Sequence, residues 1–275
     1  MFLVDTHCHI NIMVKKDFDV PLVTAQNAEI QDIIKQAIDH DVSLIINVGT
    51  SLVESKNCIT IAKQSPSVYA AIGIHPNDAT SSWMTDFKEL SKLAKQKEEH
   101  KIVAIGECGL DMHYPDYNLQ RQKDVFKAHI ELALKHDLAL LVHTRNARDE
   151  TLRSLEEFKG QITRGVIHCF SEDQSFANTV IDWNFYLGIG GTITYPKNQI
   201  LRDIVINTPL KNIVLETDAP FLPIQTMRGK QNHPLYIKNI AEYIAHLRQE
   251  SLEAVAQTTT TNALTLCKLQ DRFTF

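Results

Sequence analysis

Short runs rich in Val, Ile and Leu recur along this chain, with a longer stretch of helical spacing between each consecutive pair. The runs are FLVD (2–5), SLIINVG (43–49), VYAAIG (68–73), IVAIGE (102–107), LALLVH (138–143), RGVIHCF (164–170), FYLGIGG (185–191) and IVLETD (213–218). Most lack polar alternation, as expected of parallel strands buried on both faces. Between the first two, 29–40 sets Ile30, Ile33, Ile34, Ala37 and Ile38 on one helical face. The segments 52–64, 87–100, 119–136, 147–159, 173–183 and 198–207 read as helices too, and 236–249 and 252–267 add two after the eighth run. The stretch 217–234, with Pro220, Pro223 and Pro234, has neither signature.

Eight strands alternating with helices over 275 residues predict an α/β fold, a (β/α)8 TIM barrel. A single domain should span 1–275, with a C-terminal helical extension. A doubly wound open sheet is the alternative, but no G-x-G-x-x-G follows the first run. No repeat or linker marks a second domain.

Composition narrows the function. The chain is 44% apolar and 22% charged, as for an ordinary globular protein, and long enough to bury a core without disulfides. With 28 basic and 33 acidic residues the net charge is −5, which excludes coating of nucleic acid by a broad basic surface. An enzyme that engages nucleic acid at one local site remains open. Asp5 interrupts the first apolar run and no basic segment precedes it, so no secretory signal is expected. Apolar runs such as 138–142 are far too short to span a bilayer. The five cysteines (8, 58, 108, 169, 267) are odd in number and lack a C-x-x-C pair, as for free thiols in a reducing cytoplasm. The expected location is cytoplasmic, with no membrane association and no obligate protein partner.

Active sites of such barrels form at the C-terminal ends of the strands. Strand one ends in DTHCH (5–9), and in extended backbone His7 and His9 point the same way, into the mouth. Strand four is expected to end at Glu107, strand five at His143, strand six at His168 and strand eight at Asp218. Any one of these could simply cap a backbone group. Six titratable groups gathered at one mouth would be costly to bury without a metal. Six nitrogen and oxygen ligands exceed one tetrahedral ion, which implies two divalent cations, with Glu107 as the natural bridge. His7, His9 and Asp218 would hold one, and His143 and His168 the other. Imidazole with carboxylate suits Zn2+ and Mn2+, and Mg2+ less firmly. Such a pair activates water and clamps the oxygens of an in-line displacement, with Asp218 placed to orient that water or take its proton. Cys8, Cys108 and Cys169, each beside a candidate ligand, should face outward and pack against the helices.

The segments DTHCH (5–9), IGIHP (72–76), IGECGLD (105–111), VHTRNA (142–147), GVIHCFS (165–171), ETDAPFLP (216–223) and MRGKQNHP (227–234) resemble the TatD family of metal-dependent deoxyribonucleases, in order across nearly the whole chain. The resemblance implies a barrel hydrolase cleaving DNA phosphodiesters, often described as a 3′→5′ exonuclease on single strands. The family's metal positions fall on His7, His9, Glu107, His143, His168 and Asp218. Glu172 stands where members usually have Gly, and His233 where Glu is common; neither change removes a ligand.

The expected partner is a DNA substrate held locally at the metal site. Arg145, two residues past His143, suits bidentate phosphate contact. Arg228 and Lys230 in the last loop are either phosphate contacts or solvated charges. His75 and Asp111 also close strands, and the resemblance places them near the site as substrate contacts, or His75 as a support for a ligand. Tyr114 and Trp83 either stack on a base or pack. The competing function is hydrolysis of esters or amides on the same barrel. Many such amidohydrolases bridge their ions with a modified Lys at the end of strand four, where this chain has Glu107.

Overall fold

The eight strands form one parallel sheet in chain order, in a computed structural model that describes residues 2–15 and 17–273. They are β1 (Leu3–Cys8), β2 (Val42–Val48), β3 (Val68–Ile72), β4 (Ile102–Asp111), β5 (Ala139–Arg145), β6 (Gly165–Ile167), β7 (Phe185–Ile189) and β8 (Ile213–Leu215). The sheet curls until β1 meets the chain beyond β8. Asp218 N donates to His7 O at 2.8 Å, and His9 N to Ala219 O at 2.7 Å. Thr6 Oγ1 adds a bond to Leu215 O at 2.9 Å. The result is a nearly closed (β/α)8 TIM barrel.

The unbroken apolar runs have a simple cause: each strand feeds two cores. Val4, Leu44, Ile46, Tyr69, Val103, Leu141, Val166 and Val214 cluster in the lumen. Alternate residues such as Leu3, Ile45, Ala70, Ile102, Leu140, Ile167 and Ile213 cluster instead with the helices outside. Those helices are α1 (Asn27–Asp39), α2 (Leu52–Gln64), α3 (Trp83–Lys95), α4 (Leu119–His136), α5 (Arg148–Glu156), α6 (Gln174–Asp182), α7 (Gln199–Asn207) and α8 (Ile237–Arg248). The last, α9 (Leu252–Cys267), packs Ala263, Leu264 and Leu266 into the lumen cluster and so helps fill the barrel.

The same parity carries the lumen into chemistry. Two residues past Leu141 comes His143, two past Val166 comes His168, and two past Val214 comes Glu216, then Asp218. Period-two alternation therefore brings these side chains to the mouth, whereas on β1 and β4 a register irregularity shifts the alternation before His7 and Glu107.

Several boundaries differ from the sequence reading. β4 does not stop at Glu107 but runs on to Asp111, through a register irregularity against β5 between Ile105 and Cys108. β6 covers only Gly165–Ile167, and β8 ends at Leu215, so His168 and Asp218 sit on the loops just beyond. The helix expected over 87–100 starts at Trp83 and breaks at Gln96, followed by a turn at Lys97–His100. Gly109 has a positive φ of 142°, and a Cβ there would lie 2.0 Å from His143 O. Only glycine lets β4 pass β5 so closely.

Candidate metal centre

The candidate ligands arrive from five strands, His7 and His9 together from β1, and Glu107 on β4 lies between the histidines. Its carboxylate is buried, with one oxygen towards each histidine pair. Oε2 is 3.4 Å from His7 Nε2 and 3.8 Å from His9 Nε2. Oε1 is 2.9 Å from His143 Nδ1 and 3.4 Å from His168 Nε2. Asp218 closes the first side, with Oδ1 3.3 Å from His9 Nε2 and 3.9 Å from His7 Nε2. Its φ of 57° turns the chain sharply at the rim.

Three of the four histidines have their other ring nitrogen held by an acceptor. His9 Nδ1 donates to Val48 O at 2.8 Å, and His168 Nδ1 to Glu216 Oε1 at 3.0 Å. His143 Nε2 donates to Asp111 Oδ2 at 3.2 Å. These bonds orient the rings, so His9 Nε2, His168 Nε2 and His143 Nδ1 are aimed at Glu107 and become the ligating nitrogens once a cation takes the place of their protons. His7 Nε2 joins them, 3.2 Å from His9 Nε2, with its ring stacked on His168 at 3.6 Å. Two groups, His7–His9–Glu107 and Glu107–His143–His168, place one donor atom per residue within 4.8 Å of each other, close enough to hold a metal ion.

The electrostatics suit cations. Burial disfavours the Glu107 charge, yet His168, His75 and bonds from His143 and His7 hold its carboxyl well below the usual range. Asp218, partly exposed at the rim, is likewise lowered, by His9 and His168. Burial opposes charge on His168 as well, but Glu216 and Glu107 push it up to about 10. A divalent cation would replace that proton as the counter-charge to the carboxylates. The side chains present therefore fit metal.

A cavity of about 430 Å3 opens above, bordered by His9, His75, Glu107, His143, His168 and Asp218 on its floor, with Phe18, Tyr114 and Phe221 among its walls. His75 Nδ1 accepts from Asn77 N at 3.1 Å, which leaves Nε2 as the protonated nitrogen, 3.7 Å from Glu107 Oε1.

Other sequence expectations divide. Asp111 was expected to touch substrate, but it does not border this cavity. Its Oδ2 accepts from His143 and from Asn77 Nδ2 (3.0 Å), and its Oδ1 from His113 N (2.9 Å), so it is a buried support for His143. Arg145 is exposed beside the mouth, its guanidinium 5.7 Å from the Tyr114 ring. Arg228 lies against Tyr195, 4.7 Å from the ring, and does not border the cavity. Trp83 packs on Phe87 at the start of α3, away from the site. Cys8 and Cys108 are buried in the outer core as expected. Cys169 differs: it is partly exposed on a left-handed turn with φ 46°.

Two buried carboxylates escaped the sequence reading. Glu216 holds His168, as above. Asp5 accepts from Thr217 N (3.0 Å), Thr217 Oγ1 (2.6 Å) and His7 N (3.2 Å), tying β1 to the end of β8. Burial, against these bonds, raises its carboxyl to about 8. Both sit two residues before a candidate ligand, so the period that pointed to His7 and Asp218 also pointed to them.

Comparison with known proteins agrees with this geometry. The family described as TatD related DNase matches residues 4–268. The Escherichia coli K12 protein YcfH, an uncharacterized metal-dependent hydrolase, is 34% identical over 262 residues, covering 95% of this chain and 94% of that one. The 3′-5′ ssDNA/RNA exonuclease TatD of Shigella flexneri is 30% identical over 257 residues, covering 91% and 97%. The crystal structure of YjjV, a TatD homologue from Escherichia coli K12, superposes with a TM-score of 0.86 at 29% identity, covering 97% and 98%. With its clusters of His, Glu and Asp able to hold metal, this chain belongs to the TatD family of metal-dependent hydrolases.

Proposed function

We propose that this protein hydrolyses DNA phosphodiester bonds, acting as an exonuclease from 3′ ends of single strands. The observation that carries the reading is Glu107 set between two histidine pairs on the floor of an open cavity. His7, His9 and Asp218 would hold one divalent cation and His143 and His168 a second, with Glu107 shared. When bound, such a pair supplies charge to stabilise the phosphate oxygens and to acidify water.

The chain's own groups do the rest. Asp218, ionised at neutral pH, receives the proton that water loses as its oxygen bonds to phosphorus. The bond from phosphorus to the leaving sugar oxygen breaks in the same displacement, and that oxygen keeps the electron pair and takes a proton from solvent water. Burial, with His143 beside it, pushes His75 down to about 3. It therefore stays neutral, and Nε2–H is a fixed donor to a phosphate oxygen. Arg145 receives a neighbouring phosphate. Arg228, over the Tyr195 ring, would meet a phosphate further along the strand. The net charge of −5 fits this local mode of binding. No helix among the described residues is long and apolar enough to cross a membrane, and with five free cysteines we place the protein in the cytoplasm.

The test is cleavage of end-labelled single- and double-stranded DNA with Mg2+, Mn2+ or Zn2+, comparing wild type with Glu107→Gln. Metal-dependent shortening from the 3′ end by wild type alone is expected. No cleavage by wild type, with turnover of carboxylic esters or amides instead, would replace the reading with the ester- or amide-hydrolase one.

A further inference from the structure

Among the described residues, the large aromatic side chains that stand exposed are Phe18, Tyr114, Tyr117 and Phe221. Phe18 (61% exposed), Tyr114 (49%) and Phe221 (42%) all border the cavity above the metal centre. Tyr117 borders the adjoining cleft, which shares Tyr114 and Asn77 with it. Exposed rings are thus gathered at the mouth and missing from the rest of the described surface. Apolar surface concentrated in this way marks a contact site.

Phe18 is also held in place. Its loop, between the turn at Ile10–Met13 and α1, is tied to Glu54 in the first turn of α2. Glu54 is fully buried and accepts from Lys15 Nζ (2.5 Å), Asp19 N (2.8 Å), Asn11 Nδ2 (2.9 Å) and Asn57 Nδ2 (3.1 Å). Asn57 in turn donates to Val20 O and accepts from Leu22 N, both at 3.0 Å. A buried ion pair is an expensive way to gain stability and a good way to fix one arrangement. Here it fixes a loop whose apolar ring points to water.

The chemistry beside Phe18 selects the occupant. Asp19 and Asp78 border the same cavity, so a phosphate there meets carboxyl groups and, among the described lining residues, no Lys or Arg, while a neutral ring bearing amino groups finds acceptors. The arginine at this mouth, Arg145, lies elsewhere, against Tyr114.

We propose that Phe18, on its Glu54-anchored loop, forms with Phe221 a stacking subsite for an unpaired nucleobase next to the scissile phosphate. This rests on the phosphodiesterase reading and sharpens it. A base inside a duplex has both faces covered, so the subsite takes single strands or frayed ends.

The test compares wild type, Phe18→Ala and Phe18→Trp on single-stranded oligonucleotides whose 3′-terminal residue either carries a base or lacks one. Phe18 is exposed, so thermal melting should show all three folded alike. Phe18→Ala should raise KM about tenfold on the base-bearing strand, the scale of one stacked base, with kcat nearly unchanged. Phe18→Trp should restore it, and the base-less strand should not distinguish the variants. Equal KM for all three on the base-bearing strand would overturn the subsite. Should wild type cleave neither strand, the phosphodiesterase reading fails, and fluorescence anisotropy with the same strands decides the subsite. Tighter binding of the base-bearing strand, lost in Phe18→Ala, supports it; equal binding overturns it.

Discussion

Glu216 Oε1 lies 3.0 Å from His168 Nδ1, so a carboxylate two residues before one candidate ligand orients another from across the barrel. The same oxygen accepts from Cys169 N. Outer carboxylates of this kind set the tautomer of a ligating imidazole and raise its basicity, and losing one costs about 10–100-fold in metal affinity. Glu216→Gln should weaken metal binding by that order while the fold stays intact. Gly188→Ala should do the same from a distance, because its Cβ would lie 2.3 Å from Glu216 Oε2 and 3.2 Å from His168 Cα. Chelator competition checks both. Unchanged metal affinity in both variants would remove Glu216 from the centre's support.

Asp111 offers a matched test on the other side. Its bond to His143 Nε2 leaves Nδ1 for the cavity, and Asn77 and His113 N occupy its remaining capacity. Asp111→Asn should lower metal affinity about tenfold or more and leave the KM for DNA nearly unchanged. A raised KM with normal metal affinity would return Asp111 to the substrate contact that sequence position suggested.

Acid sensitivity should come in part from His129 on α4. Its Nδ1 donates to Val125 O at 2.8 Å and its Nε2 accepts from Ile74 N at 3.0 Å, one residue before His75. Burial pushes it down to about 4, below the ordinary 6.5. Between pH 6.5 and 4 the unfolded chain therefore binds a proton that the folded one refuses, so stability rises with pH across this window and is lost as pH falls. At about 1.4 kcal/mol per unit, the 2.5-unit gap is worth about 3 kcal/mol. Urea unfolding from pH 7.5 to 4.5 should show a steeper loss in wild type than in His129→Gln. Parallel curves would contradict the assignment.

Gly109→Ala should be among the most damaging single-methyl changes in the chain. The added Cβ would lie 2.0 Å from His143 O at a φ of 142°, so β4 and β5 must separate where both carry candidate ligands. A loss of about 3 kcal/mol or more is expected, from overpacking and backbone strain together. A melting temperature within a few degrees of wild type would mean that the strands yield more easily than this contact implies.

The barrel was legible because both faces of each strand are buried, which writes eight apolar runs into the chain with little ambiguity. His143, His168 and Asp218 were legible because period-two alternation projects them from the lumen residues of those runs. His7, His9 and Glu107 were legible because polar groups interrupt apolar runs there, although register irregularities on β1 and β4 shift the alternation before them. Glu107 shows the limit: the run IVAIGE looked finished at the glutamate, yet β4 continues to Asp111 through a register irregularity that depends on β5 and on Gly109. The bond from His143 to Asp111 was hidden for that reason, since His143 lies on the neighbouring strand. Glu54 was invisible for a related reason. A glutamate in the first turn of a helix reads as a solvated charge, and only the fold brings Lys15, Asn11 and Asn57 around it.

Titration of the metal-free protein with Zn2+ or Mn2+ tests whether Glu107 is shared by two cation sites. Wild type should bind two equivalents. Glu107→Gln should weaken both, because each carboxylate oxygen faces one histidine pair, at 3.4 Å from His7 Nε2 and 2.9 Å from His143 Nδ1. A single equivalent in wild type, or a variant that loses one site and keeps the other at full affinity, would contradict the account.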